Sequence, residues 1–540
     1  MRDDTKDNDL LMSLGYKPEL KRNFSPMEVF GISFSIMSLV PSISTTFDLA
    51  LPAGGVGLTW GWLVPSIFIL SVGVALSELG SAMPTSGGLY WWTFKFCPQG
   101  IRRSSAWFIG YVNTAGLIGG ICSINDGAAT MILSVVSVAT DNSFQATKAQ
   151  LYGVHVAVTL TQMCVAIVTT KFMARLQQFC IWLNCVLMAL VFIAFPIGYK
   201  ARGNTLNDAS WIFTNTTNNF QGYGYGWAFM LSWMACIWTI GAFDSCIHMA
   251  EEASNAATAV PLGISLSIFI CGIFGWGIMC VLAACTDPGI ESILNSATGS
   301  GFAQITYNCL GKKWAIAIQI LNAITAWFMG LSLLVATSRQ TWSFSRDGAL
   351  PGSRWIKKVD KNGVPRVAVV FDCFWTIILG LLTLVDEAAA NAVFSMNVSS
   401  NAFAWLSPIF WRAWYGSHAS FTPGPFYLGE FWSRVNNWIA SLYLIFLIFA
   451  LSVIPSQIPV TPSTMNYTCV INPGVWIGSM LYYWIDGHKW FEGPKLTLEG
   501  LEGEDATGNI RGVLDVPKLH EDTTPEVIDL DEQQEKHVSL

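Results

Sequence analysis

The sequence predicts an all-α polytopic membrane protein with twelve transmembrane helices, and three observations predict it. The 540 residues are 52% hydrophobic and 12% charged, with a mean hydropathy of +0.45, a balance that soluble globular domains rarely reach. Twelve stretches of about 20 apolar residues lie along the chain. They cover 275 residues without a single Lys or Arg, where about 15 of the 29 would fall by chance. The 24 Trp, 33 Phe and 14 Tyr supply the aromatic belts used at lipid–water boundaries. With 29 basic against 36 acidic residues and a net charge of -7, no cationic excess exists to neutralise a phosphate backbone, which excludes nucleic acid as a partner.

In order, the spans run 28–50, 61–83, 106–136, 151–170, 176–198, 227–250, 260–285, 314–338, 367–385, 389–411, 436–456 and 470–486. If the amino terminus is cytoplasmic, nineteen basic residues fall in the inner segments and five in the outer ones, as the positive-inside rule requires. Both termini are then expected in the cytoplasm. Two glycosylation sequons, at Asn215 and Asn466, fall on the expected outer side. Residues 1–27 are polar with both signs of charge, so the first span is expected to serve as its own insertion signal. Residues 491–540 hold thirteen acidic and four basic residues, a composition expected to stay disordered as a cytoplasmic tail.

Residues that a bilayer span normally excludes mark the candidate site. In the first span Pro41 sits amid Ser38, Val40, Ser42 and Ser44. Proline removes a backbone donor and frees the carbonyl of Met37 at bilayer depth. Two readings fit: a kink patched by serine hydroxyls, or a discontinuous helix whose bare N–H groups hold an anionic substrate group. Glu78, near the inner end of the second span, is expected to anchor at the interface. The third span carries Asn125 and Asp126, the latter fitting either a pocket or polar helix packing.

The sixth span holds the matching irregularity, with Trp238, Ile240, Gly241, Phe243, Asp244 and His248 in one short run. Asp244 and His248 are four apart and share a helical face. The aspartate fits either a structural hydrogen bond or a proton carrier. Two interrupted spans five apart are what an inverted repeat of five plus five helices requires, with the binding site between them. Glu251 and Glu252 are expected as solvated charge at the cytoplasmic edge. In the eighth span Asn322, Thr325 and Ser332 form a polar stripe facing protein, explained equally by helix packing and by a solute path. Asp372 of the ninth span is expected as an interfacial anchor.

The 13 cysteines lie mostly inside spans without metal-ligand spacing, so neither a metal nor another cofactor is expected. Cys309 and Cys469 fall on the expected outer side, where a pairing is open to them. There is no GxSxG, HExxH or P-loop motif, so no enzyme is expected, and transport coupling must come from an ion or solute gradient.

The runs FGISFSIMSLVPSIS (30–44), PTSGGLYWW (84–92), WTIGAFDSCIHMAEE (238–252), SRQTWSFSRDGALP (338–351) and STMNYTCVINPGVWI (463–477) resemble the fungal amino acid/choline branch of the amino acid-polyamine-organocation transporters. The likeness runs from about residue 10 to residue 490. It implies a LeuT-like core of ten helices (28–414), two peripheral helices (415–490), alternating access and proton symport. It also implies substrate contacts at the breaks of helices one and six, here Ser38–Ser44 and Ile240–Asp244. The glycine-rich break of bacterial relatives is replaced by Val40-Pro41-Ser42.

A zwitterion such as GABA fits these residues, its carboxylate on N–H groups near Ser42–Ser44 and its ammonium on Asp244 and the faces of Trp238 or Phe243. The expectation is therefore a proton-coupled secondary transporter for GABA or a related small amino acid. Polyamine, choline or vitamin transport is the alternative within the class, and a transporter-like nutrient sensor is a further one. Asn322 joins the expected substrate contacts; Asp244, Asp126 and His248 are the expected coupling and gating residues. The expected partners are the amino-containing solute, protons, the bilayer, and trafficking or ubiquitin machinery on the tails. The expected location is the plasma or vacuolar membrane.

Overall fold

The computed structural model describes residues 5–495, apart from 142, 169, 288, 295, 297–298, 386, 417–420, 456 and 463 and the side chains of 169–174 and 386–391. From residue 496 on, the expected acidic tail lies outside the described residues. Among the described residues all regular elements are helices, with one β-bridge between Phe24 and Ala253. Seven stretches there are long and apolar enough to cross a membrane, and the protein is polytopic and all-α.

The chain starts with α1 (Thr5–Ser13), then α2 (Pro26–Met37), α3 (Leu39–Ala50) and α4 (Gly54–Ala82). Ser25 and Pro26 open α2, with the Ser25 N–H and hydroxyl both donating to Glu28, each at 2.7 Å. Pro26–Ala82 forms one apolar stretch of 57 residues, which as a straight rod would exceed twice the bilayer thickness. It folds back instead at Leu51–Ala53, where Gly54 takes φ 70°, a conformation a side chain would strain. The return is recorded on α12 (Ala256–Ala284), whose Ser267 meets Ser33 of α2 and whose Ser265 meets Ser77 of α4, each at 3.0 Å.

Next come α5 (Gly88–Phe96), α6 (Arg102–Ala139), α7 (Lys148–Ala166), α8 (Thr170–Ala201), α9 (Ala209–Thr214), α10 (Tyr225–Thr239) and α11 (Ser245–His248). After α12 follow α13 (Glu291–Leu294), α14 (Gly301–Leu310), α15 (Lys312–Arg346), α16 (Ser353–Ile356), α17 (Arg366–Gly380), α18 (Glu387–Tyr415), α19 (Glu430–Phe446) and α20 (Thr468–Ile485). The 38-residue α6 packs against α5, α7, α15, α17, α18 and α20 and forms the centre of the bundle. Large apolar side chains point outward from the rim helices, among them Trp182 of α8, Phe374 of α17, Leu442 of α19 and Ile477 of α20. Water would oppose such a surface, whereas lipid accepts it.

Several sequence expectations are corrected. Glu78 is not at an interface: it is buried, pairs with Arg412 at 2.7 Å and accepts from Ser433 at 2.6 Å. Asp372 is likewise buried and accepts the Thr341 hydroxyl at 2.7 Å. Both carboxylates found partners on helices distant in sequence, which spacing along one helix cannot reveal. Cys309 is buried in α14, Cys469 is exposed at the start of α20, and both are free thiols. Residues 5–24 are no free tail, since Leu11, Leu14, Tyr16, Leu20 and Phe24 are buried against the bundle. Among the polar stripe, Ser332 pairs across helices with Gln177 at 2.7 Å, while Asn322 bonds within its own helix to Gln319 at 3.5 Å.

Candidate functional site between two interrupted helices

Of the four non-glycine residues with positive φ among the described residues, two fall in the interrupted spans: Ser38 at 29° and Ala242 at 59°. Such angles cost an L-residue roughly 1–3 kcal/mol and persist only where the surroundings impose them. The first interruption lies at Ser38, three residues before the proline expected to cause it. Pro41 occupies the first turn of α3, where its missing N–H forfeits no helical bond, so the helix restarts just ahead of it. Polar groups freed at the break are collected locally. Ser42 donates to Met37 O at 2.6 Å, Ser38 donates to Ser35 O at 2.5 Å, and Asn184 of α8 donates to Ser38 Oγ at 3.0 Å.

The second interruption separates α10 from α11 across residues 240–244. There Asp244 is buried, receives the Asn113 amide at 3.4 Å and stands 3.7 Å from His248 Nε2. His248 Nδ1 lies 3.0 Å from the carbonyl of Ser86. Asp244 Oδ1 has no hydrogen-bond partner among the described residues. Trp238 stacks on Phe394 of α18 at 4.4 Å, and Phe243 packs on Trp405 of the same helix at 4.4 Å. The two interrupted helices meet where Thr46 and Thr239 hydroxyls come within 3.5 Å.

Open space lies on the face opposite the amino terminus. A cavity of about 470 Å³ lined by Asp48, Asn219, Gln221, Gln457 and Phe394 adjoins one of about 280 Å³ lined by Ser44, Asp48, Ser123, Asp126 and Phe394. Ser44 and Asp126 thus reach a cavity. Ser38, Val40, Pro41, Ser42, Ile240, Phe243, Asp244, His248 and Asn322 are buried around the breaks or in α15, and Gly241 is partly buried. Asp126 is not brought to Asp244; its Oδ1 sits 3.2 Å from His155 Nδ1 of α7, close but misaligned for a hydrogen bond. Asn215 and Asn466 both lie on the open face, where the Asn466 amide donates to the carbonyls of Ser452 and Ile454 at 2.9 and 3.0 Å.

The amino-terminal face is sealed. Glu251 and Glu252, expected as solvated charge, are 2% and 1% exposed and pair with Arg346 at 3.0 Å and Arg339 at 2.7 Å. The short 3₁₀ turn Ala250–Glu252 carries them inward beneath α15, and Glu252 O accepts the N–H groups of Asn23 and Phe24 at 3.0 and 3.1 Å. Beside them Asp347 accepts from Tyr90 at 2.7 Å and from the backbone N–H of Lys495 at 3.2 Å. Burial pushes the Asp347 carboxyl up to about 6, against the lowering influence of Arg346. Burial, and secondarily Asp347, hold the Tyr16 and Tyr90 hydroxyls well above their ordinary value.

Sequence reasoning missed Asp48, Asn113, His155, Asn184, Phe394 and Trp405. The rule that found Asp244, a polar group inside an apolar span, would also have found Asn113, His155 and Asn184. The aromatic partners carry no such signal.

Residues 24–475 match the amino acid permease family model. The chain is 43% identical over 504 residues to the GABA-specific permease of Saccharomyces cerevisiae, covering 93% of this chain and 88% of that one. It is 34% identical to an uncharacterized amino-acid permease of Schizosaccharomyces pombe (92% and 88% covered) and 32% identical to a second from that organism (92% and 90%).

Proposed function

The chain belongs to the amino acid permease family, and from that premise we propose that it carries GABA or a related small amino acid across a membrane by proton-coupled symport. The observation that carries the reading is the pair of interruptions at Ser38 and Ala242, tied through Thr46 and Thr239. A solute can use the unpaired main-chain groups of such breaks, and the helices on either side can tilt about them. In this reading the twelve spans form a LeuT-like five-plus-five core (28–414) with two peripheral helices (415–490). Both termini are cytoplasmic and the open face is external. The location is the plasma or vacuolar membrane, and Asn215 is the sequon open to glycosylation.

The substrate carboxylate takes the N–H groups of Leu39 and Val40 at the start of α3, ahead of Ser42, whose N–H is held by Ser38 O at 3.0 Å, and its ammonium takes Asp244 and the ring faces of Trp238 and Phe243. Asp244 and His248 form the proton carrier. The carbonyl of Ser86 can only accept, so His248 Nδ1 holds a proton and, in the neutral ring, Nε2 turns a lone pair toward Asp244 Oδ2 at 3.7 Å. Asn322 and Asp126 support the path from α15 and α6.

Purified protein in proteoliposomes, given labelled GABA with and without an inward proton gradient, tests the proposal. Accumulation that requires the gradient supports it, and Asp244→Asn should abolish accumulation while leaving folded protein in the membrane. Gradient-independent equilibration, or unlabelled ω-amino acids that fail to compete where polyamines or choline succeed, overturns it.

A further inference from the structure

We infer that the cavity between α3 and α6 is an outer subsite for an aliphatic ammonium group, held by Asp48 and Ser44 before the solute reaches the two interruptions. The inference rests on the transport reading for its purpose, though not for its chemistry.

Four observations carry it. The lining of this roughly 280 Å³ cavity includes two carboxylates, Asp48 and Asp126, and hydroxyls of Ser44, Thr45, Ser123, Thr130, Ser134 and Ser300, but neither Lys nor Arg. Ser44 is 5% exposed and its Oγ has no hydrogen-bond partner among the described residues. A buried hydroxyl left unpaired is costly unless something occupies the space it lines. Asp48 uses one oxygen to accept the Gly301 N–H at 3.1 Å, which fastens α3 to the start of α14, while its other oxygen is buried without a partner among the described residues. A Cβ on Gly301 would collide with that second oxygen, so glycine is what lets the carboxylate sit there. Finally, Asp48, Leu49 and Phe394 line both this cavity and the larger one outside it. Asp48 therefore stands where the outer space narrows toward Phe394, which stacks on Trp238 at the second interruption.

The charges around the cavity fix which ligand suits it. Asp126 is accompanied by His155. Lys148 lines only a neighbouring hollow and turns its ammonium to the carbonyl of Val385 at 2.7 Å. Lys312 is engaged with Asp141 at 2.6 Å. An anion entering here would meet two carboxylates with no facing Lys or Arg among the lining residues. An ammonium brings three donors, for which the free Asp48 oxygen, Ser44 Oγ and the neighbouring hydroxyls supply acceptors. Because α3 and the residues Gly299 and Ser300 that lead into α14 both border the space, filling it also holds the outer ends of these helices together.

The test uses the full-length purified protein with three probes: 4-aminobutyrate, butylamine, which keeps only the amine, and butyrate, which keeps only the acid. Thermal stabilisation is measured against probe concentration for wild type, Asp48→Asn and Ser44→Ala. The amide introduced by Asp48→Asn retains an acceptor for the Gly301 N–H, so that variant keeps its fold; Ser44→Ala removes the second contact without touching α14.

Wild type should bind butylamine saturably. Asp48→Asn should raise its half-saturating concentration about tenfold, as loss of a charge-assisted contact implies, and Ser44→Ala should raise it severalfold, with butyrate unaffected. In vesicles, Asp48→Asn should raise the KM for GABA with kcat little changed. Unaltered butylamine binding in Asp48→Asn, or an unaltered GABA KM in vesicles that transport it, overturns the subsite and leaves the transport reading standing. Asp48-dependent butylamine binding in protein that takes up no GABA overturns the transport reading and leaves the subsite standing.

Discussion

Thr46 and Thr239 touch hydroxyl to hydroxyl at 3.5 Å, joining the helix that restarts after Ser38 to the helix that stops before Ala242. Each hydroxyl is already satisfied inside its own helix, Thr46 by Ser42 O at 3.0 Å and Thr239 by Ala235 O at 2.8 Å. Parting the two therefore strands no buried polar group, and the contact can close and open at small cost. Thr239→Val should change unfolding free energy by under about 1 kcal/mol yet alter the uptake rate. A melting curve paired with initial uptake rates checks this, and a large stability loss with normal transport would contradict it.

Ala242 holds its positive φ of 59° without the freedom of glycine. Ala242→Gly should leave stability equal or raised by up to about 1 kcal/mol, since it removes the Cβ that opposes a left-handed turn. Ala242→Val, with its branched Cβ, should cost about 1–3 kcal/mol. Chemical or thermal unfolding of the two variants in detergent gives the ranking, and the reverse order would show that φ at this position is not what the site imposes.

The ion pairs of the sealed face are buried on both sides. Removing one partner leaves an uncompensated charge, so Arg339→Ala or Glu252→Ala should cost about 3–5 kcal/mol. The double replacement Arg339→Met with Glu252→Leu should recover a large part of that loss. Stability measured across the mutant cycle decides the matter, and additive losses would mean that the two side chains do not act as a pair.

Asp347 supplies a pH dependence with a definite sign. Its folded carboxyl is raised from 3.8 to about 6, so the native state holds a proton that the unfolded chain releases between those values. The associated stability is full below about 4 and is lost as pH rises through about 6. Asp347→Asn removes this dependence. Relative to wild type the variant should gain stability from pH 4 to 6 and hold that gain above pH 6, as melting temperatures across the range will read. A constant offset would rule out Asp347 as the titrating group.

Composition and charge placement made the membrane class legible, because lipid penalises cations so heavily that their absence leaves a mark on the sequence. The two interruptions were legible as well, through polar residues inside apolar runs, although Pro41 pointed to its break three residues late. A proline signals where a helix cannot pass unbroken, while the turn itself falls where the backbone least needs a donor. The buried state of Glu78, Glu251, Glu252 and Asp372 was not legible. Each is neutralised or hydrogen-bonded from another helix, Glu78 by Arg412 at a separation of 334 residues, and one sequence shows which residues are charged but not which ones meet. Asp48 stood in plain view at the end of the first span, yet only the meeting of two cavities at its side chain gave it a role.

The contacts of Asp7 impose an order on synthesis. Its carboxylate accepts the N–H groups of Asn255 and Ala256 at 2.6 and 3.0 Å, across a separation of 248 residues for the first, and Asp347 waits in turn for the N–H of Lys495. The stretch around Asp7 has no place to dock until translation has delivered the start of α12. The last of these fastenings forms only when residue 495 has emerged, so a chain released earlier inserts its helices with that side still unlatched.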